Sequence, residues 1–222
     1  YLRLRGAPVA KLLPAADGGS IVTEGEWSYE VHEPAPGEDL YRDALSWTPF
    51  SCPRHAWAAG RALAELHRAA AGYEAAPRRA EVLVANFRLF GSASPLDAIE
   101  ESLAHRPQLA DYLAGRDWRG EISAALLPFH AALRPRLQGL PALWTHGDWH
   151  ASNLFWSSSG ADARVLSVLD FGLADRNFAL FDLATAIERN AIGWLDLDEG
   201  RDAEVHQDQI DALLAGYASV LE

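Results

Sequence analysis

Two polar turns set between short apolar runs constrain this chain more than any other feature. From Ala142 the sequence reads ALWT, HGDWHAS and NLFW, and after SSSGADA it continues RVLSVLD and FG. Short runs rich in β-branched and aromatic residues, bounded by glycine, serine and aspartate, predict strands joined by loops. His146, Asp148, His150 and Asn153 therefore crowd one loop, and Asp170 opens a second loop at a neighbouring strand end. Polar side chains packed between buried flanks have to be satisfied by partners or put to use.

The donor types narrow that use. Asp148 and Asn153 place a carboxylate and an amide on one loop, and Asp170 adds a second carboxylate facing them. Magnesium takes one or two carboxylates, an amide oxygen and substrate phosphates rather than a complete protein cage. Asp148, outside such a shell, is left to accept a hydrogen bond from a substrate hydroxyl. A competing reading makes His146, Asp148 and His150 the zinc ligands of a metal-dependent hydrolase, because alternate residues on a strand point the same way.

Elsewhere the pattern is mixed. SIVTEGEWSYEVHE, 20 to 33, follows a DGG turn and predicts strands joined by a tight turn. EPAPGEDL then punctuates the chain as a hinge. From Pro53 the sequence turns helical as far as Gly72, Ser94 with Pro95 and Asp97 predicts another helix start, and a third stretch from about Asp117 to Gln138 predicts a helix kinked near Pro128. FALFDLATAIERN and HQDQIDALLAGYASVLE return to helix.

A net charge of -12 with no Lys/Arg-rich run disfavours nucleic acid and anionic membrane surfaces as partners. No apolar run approaches the length of a membrane span, and the single cysteine, Cys52, fits a reducing, cytoplasmic compartment. The acidic tract DLDEGRDAEVHQDQID, 196 to 211, reads either as a solvated face or as a lure for a cationic acceptor.

HGDWHASNLF followed by VLDFGLADRNFALFDLATAIE resembles the aminoglycoside phosphotransferase and choline kinase superfamily, the small-molecule branch of the protein-kinase-like fold. GRALAELH and PAPGEDL extend the likeness more loosely. The resemblance implies an α+β, bilobal fold: residues 1–36 as part of a small β-containing nucleotide lobe with its hinge, and 37–222 as a larger, mainly helical lobe with short catalytic-loop strands. It implies transfer of the γ-phosphoryl group of ATP, with Mg2+, to a hydroxyl of a small acceptor. A cationic amino alcohol or an aminoglycoside-like compound fits the charge. By position, Asp148 matches the catalytic aspartate, Asn153 and Asp170 match the metal ligands, and Asp182 matches an aspartate that braces the loop. The hinge residues His32 and Glu33 fall to the nucleotide, and His150 matches the place of a phosphate-contacting side chain or packs the loop. The eight tryptophans read mostly as core or lobe-interface material, with Trp149 and Trp194 also candidates for the acceptor pocket.

Two departures from protein kinases concern regulation. Gly147 replaces an arginine that pairs with a phosphorylated loop, and eleven residues separate Asp170 from Asp182, too few for a long regulatory segment. A third concerns the nucleotide. No glycine-rich loop precedes residue 17, and Lys11, the only lysine, lies in PVAKLLP and not on a strand matching that of the family's phosphate-pairing lysine. Together with the absence of methionine, this predicts a protein that starts before Tyr1 and continues past Glu222. It also keeps open a kinase-like binding module without catalysis.

Overall fold

A computed structural model describes residues 1–78, 85, 87–160 and 162–221. Two compact units divide the chain: Tyr1–Ala85 with Ala142–Glu222, and Asn86–Pro141.

In the first unit, the turn at 15–19 closes through Ala15 N–H donating to Gly19 O at 2.7 Å. The hairpin that follows pairs β1 (Val22–Glu24) with β2 (Trp27–Tyr29) antiparallel, around Gly25. Both strands are exposed along their whole length. Residues 11–13 run antiparallel to 31–33, with Glu33 N–H donating to Lys11 O at 2.8 Å.

Helix α1 (Pro53–Ala70) starts with proline in its first turn, where a missing N–H costs nothing. Ala56, Ala59, Leu63, Leu66 and Ala70 recur at helical spacing and are almost wholly buried. Each of the two leucines contributes roughly 1.5–3 kcal/mol through burial.

The second unit is helical: α2 (Arg88–Gly91), α3 (Pro95–Leu103), α4 (Pro107–Leu113), α5 (Trp118–Ala125) and α6 (Leu127–Leu137). Ser94 precedes α3 at the predicted helix start, without a side-chain capping bond. The expected single kinked helix is two helices broken at Leu126, because Pro128 lacks an N–H for the preceding turn and sits instead in the first turn of α6.

Returning to the first unit, β3 (Leu143–Thr145) leads into the motif loop, β4 (Leu154–Trp156) leaves it, and β5 (Val165–Val168) precedes Asp170. Then come β6 (Asp175–Asn177), α7 (Ala179–Ala191), α8 (Trp194–Asp198) and α9 (Gln207–Ala218). β3 pairs with β6 and β4 with β5, both antiparallel, while Val9 and Glu38 form single bridges to Val168 and Trp156. The core joins α1, the strands, α7 and α9 through Leu63, Trp149, Leu154, Trp156, Leu183 and Leu213.

Helices α1 and α9 touch backbone to backbone. A Cβ on Gly60 would lie 2.0 Å from Leu213 O, and one on Gly216 would lie 2.0 Å from Trp57 O. Only a residue without a side chain permits this approach. Among the described residues, no helix is long and apolar enough to cross a membrane.

Candidate active site

The loop from His146 to Asn153 gets its shape from α7. Asp182, Ala186, Arg189 and Asn190 are spaced four, three and one residues apart, so they share one face of that helix. Asp182 is fully buried and accepts hydrogen bonds from His146 N–H (2.7 Å, Oδ2) and Gly147 N–H (2.8 Å, Oδ1). His67, from α1, meets the same Oδ2 through Nε2 at 3.0 Å, and its Nδ1 meets Tyr217 Oη of α9 at 2.8 Å. Burial pushes the Asp182 pKa up, but His67, His146 and the Gly147 N–H outweigh it and hold the carboxyl below its usual range.

Asn190 grips the other end of the loop. Its Oδ1 accepts from Ala151 N–H at 2.8 Å, and its Nδ2 donates to Trp149 O at 2.8 Å and to Ala186 O at 2.7 Å. Sequence reasoning missed this residue. An asparagine in a helix interior is a poor helix former, which was the available signal.

Gly147 adopts φ 81°, and a Cβ there would lie 2.4 Å from Leu173 O, so the loop needs glycine on both counts. His146 is buried with both ring nitrogens engaged: Nε2 on Leu169 O at 2.8 Å, and Nδ1 accepting from Asp148 N–H at 3.2 Å. Those bonds make it a neutral prop. Burial lowers its pKa against the opposing pull of Asp182, Leu169 O, Asp148 and Asp170. With both nitrogens on the backbone, His146 is not presented to a zinc ion, and among the described residues no group of three or more His, Cys, Asp or Glu side chains converges as a metal site.

Asp148 emerges from this frame. Its Oδ2 is 3.4 Å from His150 Nε2, and its Oδ1 is 3.1 Å from Arg189 Nη2. The arginine contact is an ion pair without hydrogen-bond direction, so Oδ1 receives no hydrogen bond among the described residues although it is shielded from solvent. Burial raises the Asp148 pKa, but His150, Arg189 and His146 together hold it below the usual carboxylate range. His150 is itself fixed by Ser152 Oγ at 2.8 Å.

Strand register relates the segments that carry Asn153 and Asp170. Leu154 pairs with Val168, and Leu169 N–H donates to Asn153 O at 2.9 Å, so Asn153 lies beside the residue preceding Asp170. Asn153 Nδ2 donates to Asp148 O at 3.0 Å, which commits the amide N–H side and leaves Oδ1 for a hard cation. Asp170 is the only non-glycine among the described residues with positive φ, 53°, and Gly172 N–H donates to its Oδ1 at 3.0 Å. Two oxygen donors held this way fit magnesium, which fills its remaining positions with phosphate oxygens and water.

Asp170 also lines a cavity of about 1000 Å3 with Lys11, His32, Glu33, Leu66 and Trp144. Lys11 Nζ pairs there with Glu33 Oε1 at 2.5 Å, and His32 Nε2 meets Glu30 Oε1 at 2.9 Å. His32, Glu33 and Asp170 thus share one cavity, whereas Asp148, Asn153 and His150 do not line it. Trp149 is fully buried in the core, the first of the two readings its sequence context left open, and does not line an acceptor pocket. Trp194 is partly exposed and donates Nε1–H to Glu188 O at 3.0 Å. The acidic tract carries its own cation, since Arg201 pairs with Asp196 and Glu199. The interval from Asp170 to Asp182 is taken up by a single 3-10 turn, β6 and the start of α7.

The sequence model of the APH family, a phosphotransferase enzyme family, matches residues 1–222. Among solved structures, the aminoglycoside phosphotransferase from Alicyclobacillus acidocaldarius subsp. acidocaldarius DSM 446 is similar at 18% identity and a TM-score of 0.57, over 99% of this chain and 61% of that one. The microcompartment-associated aminopropanol kinase is similar at 19% identity and a TM-score of 0.47, over 96% of this chain and 59% of that one. No curated protein matches. The chain therefore spans about three fifths of the length of these two solved chains.

Proposed function

We propose, from the premise that this chain belongs to the phosphotransferase enzyme family, that it carries the catalytic loop of an ATP-dependent kinase acting on a hydroxyl of a small molecule. One observation carries the reading: strand register sets Asn153 beside Leu169, the residue before Asp170, while the Asn153 amide is tied to the Asp148 backbone. This supports reading Asp148 as the base and Asn153 and Asp170 as the hard-oxygen donors of one site.

In this proposal Asp148 accepts the hydrogen bond of the acceptor hydroxyl and aligns its oxygen with the γ-phosphorus. That oxygen bonds to phosphorus, the bond from phosphorus to the bridging oxygen of ADP breaks, and the hydroxyl proton passes to Asp148 and then to solvent. Asn153 and Asp170 would hold Mg2+, which when bound offsets the charge of the phosphates. The chain itself contributes position and charge rather than covalent chemistry. The cavity holding His32, Glu33 and Asp170 has a volume at the upper end for small-molecule sites and is assigned to the nucleotide, with residues 1–36 belonging to that lobe. His150, seated on Asp148 and Ser152, would support the base and contact the transferred phosphoryl group. The net charge of -12 favours a cationic acceptor.

The Lys11–Glu33 pair favours a second reading, a kinase-like binding module without turnover, because the chain's only lysine is committed to a carboxylate. Calorimetric titration of the intact protein with ATP, with and without magnesium, followed by assay of Asp148→Asn, separates the two. Magnesium-dependent binding, turnover in the wild type and none in Asp148→Asn are expected. Binding without any wild-type turnover would leave the module reading in its place.

A further inference from the structure

One half-buried cation sits against the candidate base and takes no part in bracing the loop. Arg189 follows the Asp182 stripe of α7, and its Nη2 is 3.1 Å from Asp148 Oδ1. Its guanidinium lies over the Trp47 ring at 4.5 Å, and its Nε is 3.5 Å from Glu188 Oε2. Trp47 comes from the loop preceding α1, so a distant segment packs on the arginine that reaches Asp148.

We propose that Arg189, seated on Trp47, is a positioning residue that sets the plane of the Asp148 carboxylate for the acceptor hydroxyl. This rests on the phosphotransferase reading. An aspartate carboxylate turns easily about its last bond, because that torsion is broad and roughly two-fold. A single contact leaves it free to turn, whereas contacts on separate oxygens fix its plane. His150 holds Oδ2 and is itself held by Ser152; Arg189 holds Oδ1. A flexible arginine could not act this way unaided, since ordering its side chain costs entropy. The Trp47 face and Glu188 supply that order.

The contact lacks hydrogen-bond direction, and Oδ1, shielded from solvent, receives no hydrogen bond among the described residues. A bidentate arginine fork would have engaged both carboxylate oxygens; here Oδ2 is left to His150. The function is invisible in the motif, because neither Trp47 nor Arg189 belongs to it.

Steady-state hydrolysis of magnesium ATP by the intact protein, with water as acceptor, reads the role. Arg189→Ala should lower kcat by about tenfold or more with the KM for ATP held within about twofold. Arg189→Lys should recover part of the loss, and Trp47→Leu should lower kcat in the same direction. Free guanidinium should restore part of the Arg189→Ala rate, because the Trp47 face is still there to receive it. An Arg189→Ala enzyme with kcat within about twofold of wild type overturns the proposal. So does an equal loss in Arg189→Ala and Arg189→Lys with no guanidinium recovery, which is the signature of a merely structural side chain.

If wild type and Asp148→Asn hydrolyse ATP alike, the phosphotransferase reading itself has failed. The Asp148→Asn/Arg189→Ala cycle in urea unfolding then decides the contact: additive effects overturn it, and non-additive effects retain it.

Discussion

Asp182 and Asn190, eight residues apart on one face of α7, hold the two ends of the same loop: Asp182 takes the N–H groups of His146 and Gly147, and Asn190 takes Ala151 N–H and Trp149 O. Asp148 lies between these grips. A helix is stiff along its length, so two polar side chains on it fix the loop between them as a unit.

Removing the first grip exposes buried donors with no alternative partner. Asp182→Ala leaves His146 N–H, Gly147 N–H and His67 Nε2 without their acceptor. A loss of about 3–5 kcal/mol in urea unfolding is expected, the cost of breaking a buried, hydrogen-bonded charge pair. A loss below about 1 kcal/mol would mean that the loop holds its shape by other means.

Stability should depend on pH through His146. The unfolded imidazole takes up a proton near pH 6.5, whereas burial lowers the folded one. As pH falls below about 6.5, the unfolded state binds more protons and unfolding becomes easier, until the folded pKa is also passed. His55 is lowered by burial too and adds to the same slope. Asp182, also lowered, contributes stability above the ordinary carboxylate pKa that is lost at more acid pH. His146→Gln should therefore be less stable at pH near 7.5 yet show a shallower fall to about pH 5.5. An unchanged slope in urea midpoints would remove His146 as its source.

The glycine contact between α1 and α9 should respond to added volume. Gly60→Ala or Gly216→Ala places a methyl group about 2.0 Å from a carbonyl oxygen of the other helix. Each should cost about 1–3 kcal/mol or more. The double variant should cost less than the sum, because a helix pair pushed apart by one methyl has made room for the other. Additive losses would indicate that the two sites relax separately.

The hard-oxygen pair should show itself in binding. Asp170→Asn should weaken magnesium-dependent ATP binding by about tenfold or more, while Asp148→Asn should leave it near wild type. Calorimetry with and without magnesium distinguishes them. Equal binding by Asp170→Asn and wild type would displace the metal from this pair.

The sequence by itself determined the pieces that follow from local pattern. Proline at its start and alanine and leucine at helical spacing define α1, the apolar runs around HGDWHASN define β3, β4 and β5, and the motif selects Asp148, Asn153 and Asp170. These depend on neighbours a few residues away, where backbone preference and burial period act. Tertiary structure decided what surrounds them. His67 reaches Tyr217 across 150 positions, Asn190 closes on Trp149 and Ala151, Trp47 packs on the Arg189 that reaches Asp148, and Gly60 and Gly216 set the approach of α1 to α9. None of these residues carries a local signature of its partner. The pairs exist because packing brings distant helix faces together, and buried polar atoms accept only the partners that such packing supplies.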